Sequence, residues 1–201
     1  MFNYKGVLMK FLMLMLFSFS AFAIDINGVV PDFKLKTIGG GVAKLSQYKG
    51  KIVVLEWLNH SCPFVKKHYE SQNMQSLQFK YTKAGVVWLS VISSAPGKEG
   101  HVTPAQGLAD KAKHKSSATE VLIDDSGYVG QMFGAKTTPS MYVVSKDGKL
   151  AYQGAIDDKD DTDKASVKGA KNYVVEAIDA LMANKKVIVG ATKAYGCSVK
   201  Y

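Results

Sequence analysis

Two stretches of this chain are apolar without alternation. Ile52-Val53-Val54-Leu55 runs on through Glu56-Trp57-Leu58, and Val86-Val87-Trp88-Leu89-Ser90-Val91-Ile92 repeats the pattern. Runs with no polar side predict strands buried on both faces of a sheet. Val30 to Thr37 alternates apolar and polar, which predicts a half-buried strand. Gly39-Gly40-Gly41 predicts a turn and Val42 to Leu45 a short returning strand. Between the apolar runs, Val65, Tyr69, Met74, Leu77 and Tyr81 recur at roughly helical spacing, predicting one helix from Pro63 to about Lys80, ended by Gly85. Beyond the second run come a loop from Ser93 and a helix from Pro104 to about His114 capped by Thr103. A strand at Val121-Leu122-Ile123, a turn at Asp124 to Gly127 and a short helix to Phe133 follow. Pro139 opens a strand, a place where a sheet tolerates proline, and Lys146-Asp147-Gly148-Lys149 folds that strand into a hairpin with Leu150 to Gly154. Val167 to about Asn184 reads as an amphipathic helix with Val174, Val175, Ile178, Leu181 and Met182 on its apolar side. Helices alternating with buried strands predict an α/β layered domain with a mixed sheet, its terminal hairpin strand antiparallel.

The first residues fall outside that scheme. Lys5 and Lys10 precede an almost unbroken apolar stretch, Phe11 to Phe19, and Ala21-Phe22-Ala23 offers a small-x-small cleavage site. This predicts an export signal over residues 1–23, cleaved near Ala23, with Met9 as an alternative start. The apolar stretch is short for a membrane span of about 20 residues, and no cysteine follows the cleavage site to carry a lipid, so no stable membrane anchor is expected. Residues 24–201 are then one exported, periplasmic domain, with 185–201 as a tail. The net charge is +9, but no dense basic run is interleaved with aromatics, so nucleic acid is not an expected partner. Acidic charge concentrates in Asp157-Asp158-Lys159-Asp160-Asp161-Thr162-Asp163. This predicts an exposed loop that lacks the glycine and the closing glutamate of an EF-hand, and no metal site is expected there.

The chain has two cysteines, Cys62 and Cys197. In an oxidising compartment two thiols usually pair or work. Cys62 lies where the first apolar run gives way to helical spacing, in Asn59-His60-Ser61-Cys62-Pro63. Unpaired N–H groups and the positive dipole end at a helix start favour thiolate over thiol, and Pro63 suits the first helical position. His60, Lys66 and Lys67 are expected to add positive charge. The bland alternative is a buried, inert cysteine after a strand. The separation of Cys62 and Cys197 leaves open whether they meet.

Four motifs carry a resemblance: Asn59 to Val65, Thr137-Thr138-Pro139, Asp147 to Gly154, and Gly196-Cys197-Ser198-Val199-Lys200-Tyr201. Together they resemble the thioredoxin fold, and within it the peroxiredoxin-like (alkyl hydroperoxide reductase/thiol-specific antioxidant) branch, over about residues 26–201. The resemblance implies that Cys62 is the attacking thiolate and that Pro139 is cis and faces it, with Pro63 and Thr138 on the substrate side. It also implies that Glu56 is a buried, proton-shuttling acid, and that no cofactor is needed beyond an external reductant. The chain departs from the pattern in three places. Val65 stands where Cys-x-x-Cys proteins carry their second cysteine, so Cys197 is the only intramolecular resolving thiol. Leu55 and Asn59 replace the proline and threonine of the peroxiredoxin Pro-x-x-x-Thr-x-x-Cys. No arginine is present anywhere. Asn59 and Lys136 are candidates for the missing hydrogen bond and charge.

The expected function is an exported thiol oxidoreductase exchanging with protein or small-molecule thiols and disulfides, Cys62 attacking and Cys197 resolving. One alternative is a thiol peroxidase, in which a hydroperoxide oxidises Cys62 to a sulfenic acid that condenses with Cys197. Another is a copper-handling module in which His60, Cys62 and His68, with His101 or His114, approach one ion. The last is a binding module stapled by a structural Cys62–Cys197 bond.

Overall fold

The two apolar runs lie side by side at the centre of a seven-stranded sheet in the computed structural model, which describes residues 24–201. In chain order the elements are β1 (Lys34–Thr37), β2 (Val42–Lys44), β3 (Val53–Trp57), α1 (Pro63–Glu70), α2 (Asn73–Lys83), β4 (Val87–Ile92) and α3 (Pro104–Lys113). They continue with β5 (Glu120–Ile123), α4 (Tyr128–Phe133), β6 (Thr137–Thr138), β7 (Ser140–Val144), β8 (Leu150–Gly154), α5 (Tyr173–Met182) and β9 (Cys197–Ser198). The sheet order is β2-β1-β5-β4-β3-β7-β8, and β6 and β9 form a separate pair. β3, β4 and β5 are parallel neighbours, while β7 and β8 run antiparallel at one side and β1 and β2 at the other. Every residue of β3 and β4 is buried. Val54, Leu58, Trp88 and Met141 share one core with Val65, Tyr69, Met74 and Ile178 of the helices. Leu55, Trp57, Leu89 and Tyr142 share the other with Phe33, Val129 and Phe133.

Three expectations about local structure are corrected. The first strand starts at Lys34 rather than Val30; Pro31 has no N–H to give a ladder, and the Asp32 carboxylate instead accepts from Ser46 N at 2.8 Å. The single helix from Pro63 to Lys80 is two helices, broken at Gln72, which is left-handed at φ 61°. The apolar step from Tyr69 to Met74 is out of phase for a continuous helix, and the break lets both residues reach the core. Gln75 Nε2 donates to the Tyr69 carbonyl at 2.9 Å, satisfying part of the broken end. The last helix begins at Tyr173, not Val167: Gly169 takes φ 83°, and Asn172 caps the helix by accepting from Val175 N at 3.0 Å. The Thr103 cap of α3 is present, its hydroxyl accepting from Gln106 N at 3.3 Å.

The tail docks along its length through backbone groups that hydropathy does not reveal. Gln153 N donates to Gly190 O at 2.9 Å, and Thr192 N donates back to Gln153 O at 3.0 Å. Val199 N donates to Lys136 O at 3.0 Å, and Ala95 N donates to Lys200 O at 2.8 Å. The Tyr201 hydroxyl donates to Ala135 O at 2.6 Å. Its ring lies against Gly127, where a Cβ would come within 2.4 Å of it. The expected export signal, residues 1–23, lies outside the described residues. Among the described residues no helix is long and apolar enough to cross a membrane.

Candidate active site

The end of β3 and the start of α1 deliver Cys62 to the N-cap of the helix, with Pro63 in the first turn. Cys62 N donates to Asn59 O at 3.0 Å, closing the turn, and Lys66 N donates to Cys62 O at 2.9 Å, opening the helix. The Cys62 side chain is 1% exposed. Its Sγ lies 3.0 Å from the Thr138 carbonyl oxygen and 2.7 Å from Cys197 Sγ. Both thiols are free, and the 2.7 Å separation is longer than a disulfide of about 2.05 Å. The Thr138–Pro139 peptide is cis, as the resemblance implies. Cys197 reaches this position because β9 pairs antiparallel with β6, setting Cys197 opposite Thr138. Burial, reinforced by the adjoining Cys62 sulfur, pushes the Cys197 thiol up, so Cys197 holds its proton.

Glu56 is fully buried on the face of β3 turned to α1 and α2. Its Oε1 accepts from the Tyr69 hydroxyl at 2.9 Å. Its Oε2 accepts from Gln78 Nε2 at 3.0 Å, Trp88 Nε1 at 2.8 Å and Ser90 Oγ at 3.0 Å. Burial raises its carboxyl while these four donors lower it, and burial prevails. The carboxylate therefore ties α1 and α2 to β4. The side chain of Asn59 is already engaged: Oδ1 accepts from Ser61 N at 2.9 Å, and Nδ2 donates to Glu99 at 3.3 Å. It clamps the Cys62 turn to the Glu99–His101 loop.

Two of the three groups expected to bring positive charge to Cys62 do not supply it. His60 stacks face to face on His114, centroids 3.9 Å apart. Burial, then His114 and Lys113, hold His60 down at about 3, so it is neutral. Lys67 turns away into the acidic loop. Its Nζ donates to Lys159 O at 2.6 Å, Asp161 O at 3.1 Å and Asp161 Oδ1 at 3.4 Å. The loop thus wraps a tethered ammonium. Lys67→Met keeps the stem and takes the donor from two carbonyls, Lys159 O and Asp161 O, while Asp161 Oδ1 still accepts from Asp163 N and Ser166 Oγ. It is expected to lower stability by about 1–3 kcal/mol in a urea melt, with little of that from the ion pair, because Asp161 is half exposed.

The imidazoles do not converge on Cys62. His68 Nδ1 lies 2.9 Å from Asn73 Nδ2 and Nε2 lies 3.1 Å from the Tyr195 hydroxyl, which donates to Asp157 Oδ1 at 2.6 Å. The amide donor of Asn73 assigns the proton to Nε2, giving one chain of donors from Asn73 to Asp157. His101 faces Asp125. Among the described residues no three His, Cys, Asp or Glu side chains group as metal ligands. Tyr195 was missed in the sequence. Together with Thr192, whose hydroxyl accepts from Ala155 N at 3.0 Å, it anchors the tail ahead of Cys197; only its place two residues before the tail cysteine hints at this.

Comparisons with known proteins fit this geometry. A family model described as AhpC/TSA matches residues 26–153, a span that holds Cys62 and Pro139 and stops short of the tail. No curated protein matches the chain. A hypothetical protein of Sinorhizobium meliloti is 22% identical, with a TM-score of 0.75 over 89% of this chain and 96% of its own. A Chlorobium tepidum protein described as a thiol:disulfide interchange protein DsbE is 26% identical, with a TM-score of 0.51 over 65% of this chain and 85% of its own. The pneumococcal exposed lipoprotein thioredoxin Etrx1 of Streptococcus pneumoniae is 25% identical, with a TM-score of 0.50 over 69% of this chain and 96% of its own. The fold is thioredoxin-like.

Proposed function

The chain belongs to the AhpC/TSA family, and from that premise we propose that it is an exported thiol oxidoreductase in which Cys62 attacks and Cys197 resolves. The observation that carries the reading is the 2.7 Å approach of two sulfurs 135 residues apart, held by backbone pairing of the tail to the strand before Pro139. Cys62 thiolate attacks a substrate disulfide, one substrate sulfur joins Cys62, and the other leaves as a thiol. Cys197 then attacks Cys62 as its proton passes to the departing substrate sulfur, which leaves as the second thiol, and the protein is left with a Cys62–Cys197 disulfide. An external dithiol returns it to the starting state. Disulfide exchange is preferred over peroxide reduction because Leu55, Asn59 and the lack of arginine leave no evident peroxide clamp. The work belongs to an oxidising compartment, with residues 1–23 as the export signal and 24–201 as the working domain.

Intact mass and thiol counting on wild type, Cys62→Ser and Cys197→Ser test the scheme. Mild oxidation is expected to convert the wild type to one intramolecular disulfide that a dithiol reopens. Cys62→Ser is expected to lose all turnover of a model disulfide. Cys197→Ser is expected to stall as a Cys62 mixed disulfide. A bond that resists dithiols, or turnover surviving in Cys62→Ser, refutes the scheme. Peroxide consumed faster than disulfide reverses the choice of substrate.

A further inference from the structure

We infer that the Thr137–Thr138 edge is a docking strand for an extended peptide carrying Gly-Cys, and that the protein's own Tyr195–Ser198 segment holds that place until such a peptide displaces it. The inference rests on the reading of Cys62 as attacking thiol and names its substrate class. Cys62 Sγ is covered by Thr138 O at 3.0 Å and by Cys197 Sγ at 2.7 Å. Cys197 marks one place from which a second sulfur reaches Cys62, and the chain that carries it there runs along β6. The tail shows the fit: Cys197 stands opposite Thr138 and Ser198 opposite Thr137, antiparallel. Strand addition of this kind draws affinity from main-chain hydrogen bonds and selectivity from side-chain positions.

The selective position is the one before the cysteine. Gly196 has φ 137°, and a Cβ there would lie 2.0 Å from Thr138 O and 3.2 Å from Pro139 N. Any other residue collides with backbone, which cannot swing aside. A peptide docking in this register therefore needs glycine before its cysteine. The hydroxyl oxygens of Thr137 and Thr138 are buried without a hydrogen-bond partner among the described residues, so β6 keeps polar capacity that the tail leaves unused. Because tail and peptide compete for one edge, the return of Cys197 both resolves the mixed disulfide and expels the peptide. In the capture step Cys62 thiolate bonds to the peptide sulfur, the peptide's old S–S bond breaks, and the departing thiolate takes a proton from water.

The test uses the Cys197→Ser protein, in which Cys62 is the single thiol. Two peptides, Ala-Tyr-Gly-Cys-Ser-Val-Lys and Ala-Tyr-Ala-Cys-Ser-Val-Lys, each carry the cysteine as a mixed disulfide with thionitrobenzoate. The rate of chromophore release is read, and the peptide adduct on Cys62 is identified by mass. The Gly-Cys peptide is expected to react at least about tenfold faster, given a penalty of the order of a left-handed non-glycine residue. Adding Gly196→Ala, which lifts the tail from Thr138, is expected to speed the Gly-Cys peptide by a further tenfold or so. Equal rates for the two peptides overturn the docking strand; an unchanged rate on tail release overturns the tail's occupancy of it. If Gly196→Ala does not fold, the peptide pair on Cys197→Ser still decides. The small symmetric disulfide of thionitrobenzoate separates the two levels: if Cys62 ignores even that reagent, the attacking-thiol reading fails, and if it reacts while the peptides do not differ, only the docking strand fails.

Discussion

Glu56→Ala is expected to cost about 4–6 kcal/mol, a large share of the roughly 5–15 kcal/mol that holds a domain together. The carboxylate receives four hydrogen bonds in a site closed to water. Tyr69 and Ser90 hydroxyls can turn to other acceptors, but Trp88 Nε1 can only donate and would be stranded, and Gln78 Nε2 would keep only the Tyr69 hydroxyl, at 3.1 Å. Each stranded donor costs about 1–3 kcal/mol, and the vacated volume adds its own penalty. Glu56→Gln keeps the shape and an acceptor oxygen for the Trp88 side. It is expected to lose only about 1–2 kcal/mol, chiefly the bond from Tyr69. Urea melts followed by Trp fluorescence measure both. The same pair of variants tests the proton-shuttle role the resemblance implies: a tie alone predicts that Glu56→Gln keeps the exchange rate of Cys62, and a shuttle predicts that the rate falls while the fold stands. A Glu56→Ala protein as stable as wild type would refute the tie.

Acid is expected to weaken the fold through His60. Burial, with His114 and Lys113 behind it, lowers His60 from the ordinary 6.5 to about 3. Between those values the unfolded chain binds a proton that the folded chain refuses, so stability is full above about pH 6.5 and drains as pH falls toward 3. At pH 5 the loss is about 2 kcal/mol from this residue. His68, lowered to about 4 by burial against the opposing pull of Asp157, adds a loss of the same sign. Glu56 has the opposite slope, because its raised carboxyl makes the folded state the better proton binder just above pH 4.5. The His60 share is therefore read as a difference. His60→Phe preserves a ring against His114 and the edge contact with Tyr69, and Glu70 and Asp110 face His114 alike in both proteins. Its stability relative to wild type should rise by about 2 kcal/mol between pH 7 and pH 5 in paired melts. A constant difference across that range would mean that His60 titrates normally.

Burial on both faces made β3 and β4 readable, because adjacent β-branched and apolar residues such as Val53-Val54 and Val87-Trp88 leave no polar side to misplace. Cys62 at a helix start was readable for a related reason: Pro63 suits the first turn and little else nearby. The break at Gln72 was not, since nothing in a glutamine announces a left-handed residue; only the phase slip between Tyr69 and Met74 records it. Charge was the least readable property. Lys67 was expected to lend its charge to Cys62 and is buried against carbonyls of the acidic loop, and His60 was expected to do the same and is a neutral ring in a stack. Both depend on partners far along the chain, at 159–161 and 114. The docking of the tail was hidden because much of it is main-chain hydrogen bonding, to which most sequences contribute alike, and because its side-chain anchors, Thr192, Tyr195 and Tyr201, reach partners far back along the chain.

The bonds between Gln153 and the Gly190–Thr192 stretch have a consequence apart from chemistry. β8 is an outermost strand, and one flank of it would otherwise present free N–H and C=O groups to any passing chain. Asn27 and Gly28 cover its start, with Asn27 N donating to Leu150 O at 2.7 Å, and the tail covers its end. An uncovered edge of this kind invites sheet-to-sheet aggregation. The segment that brings Cys197 to Cys62 therefore also shields the β8 edge from pairing with another chain, and an opening of the tail that stops short of Gly190 leaves that shield in place.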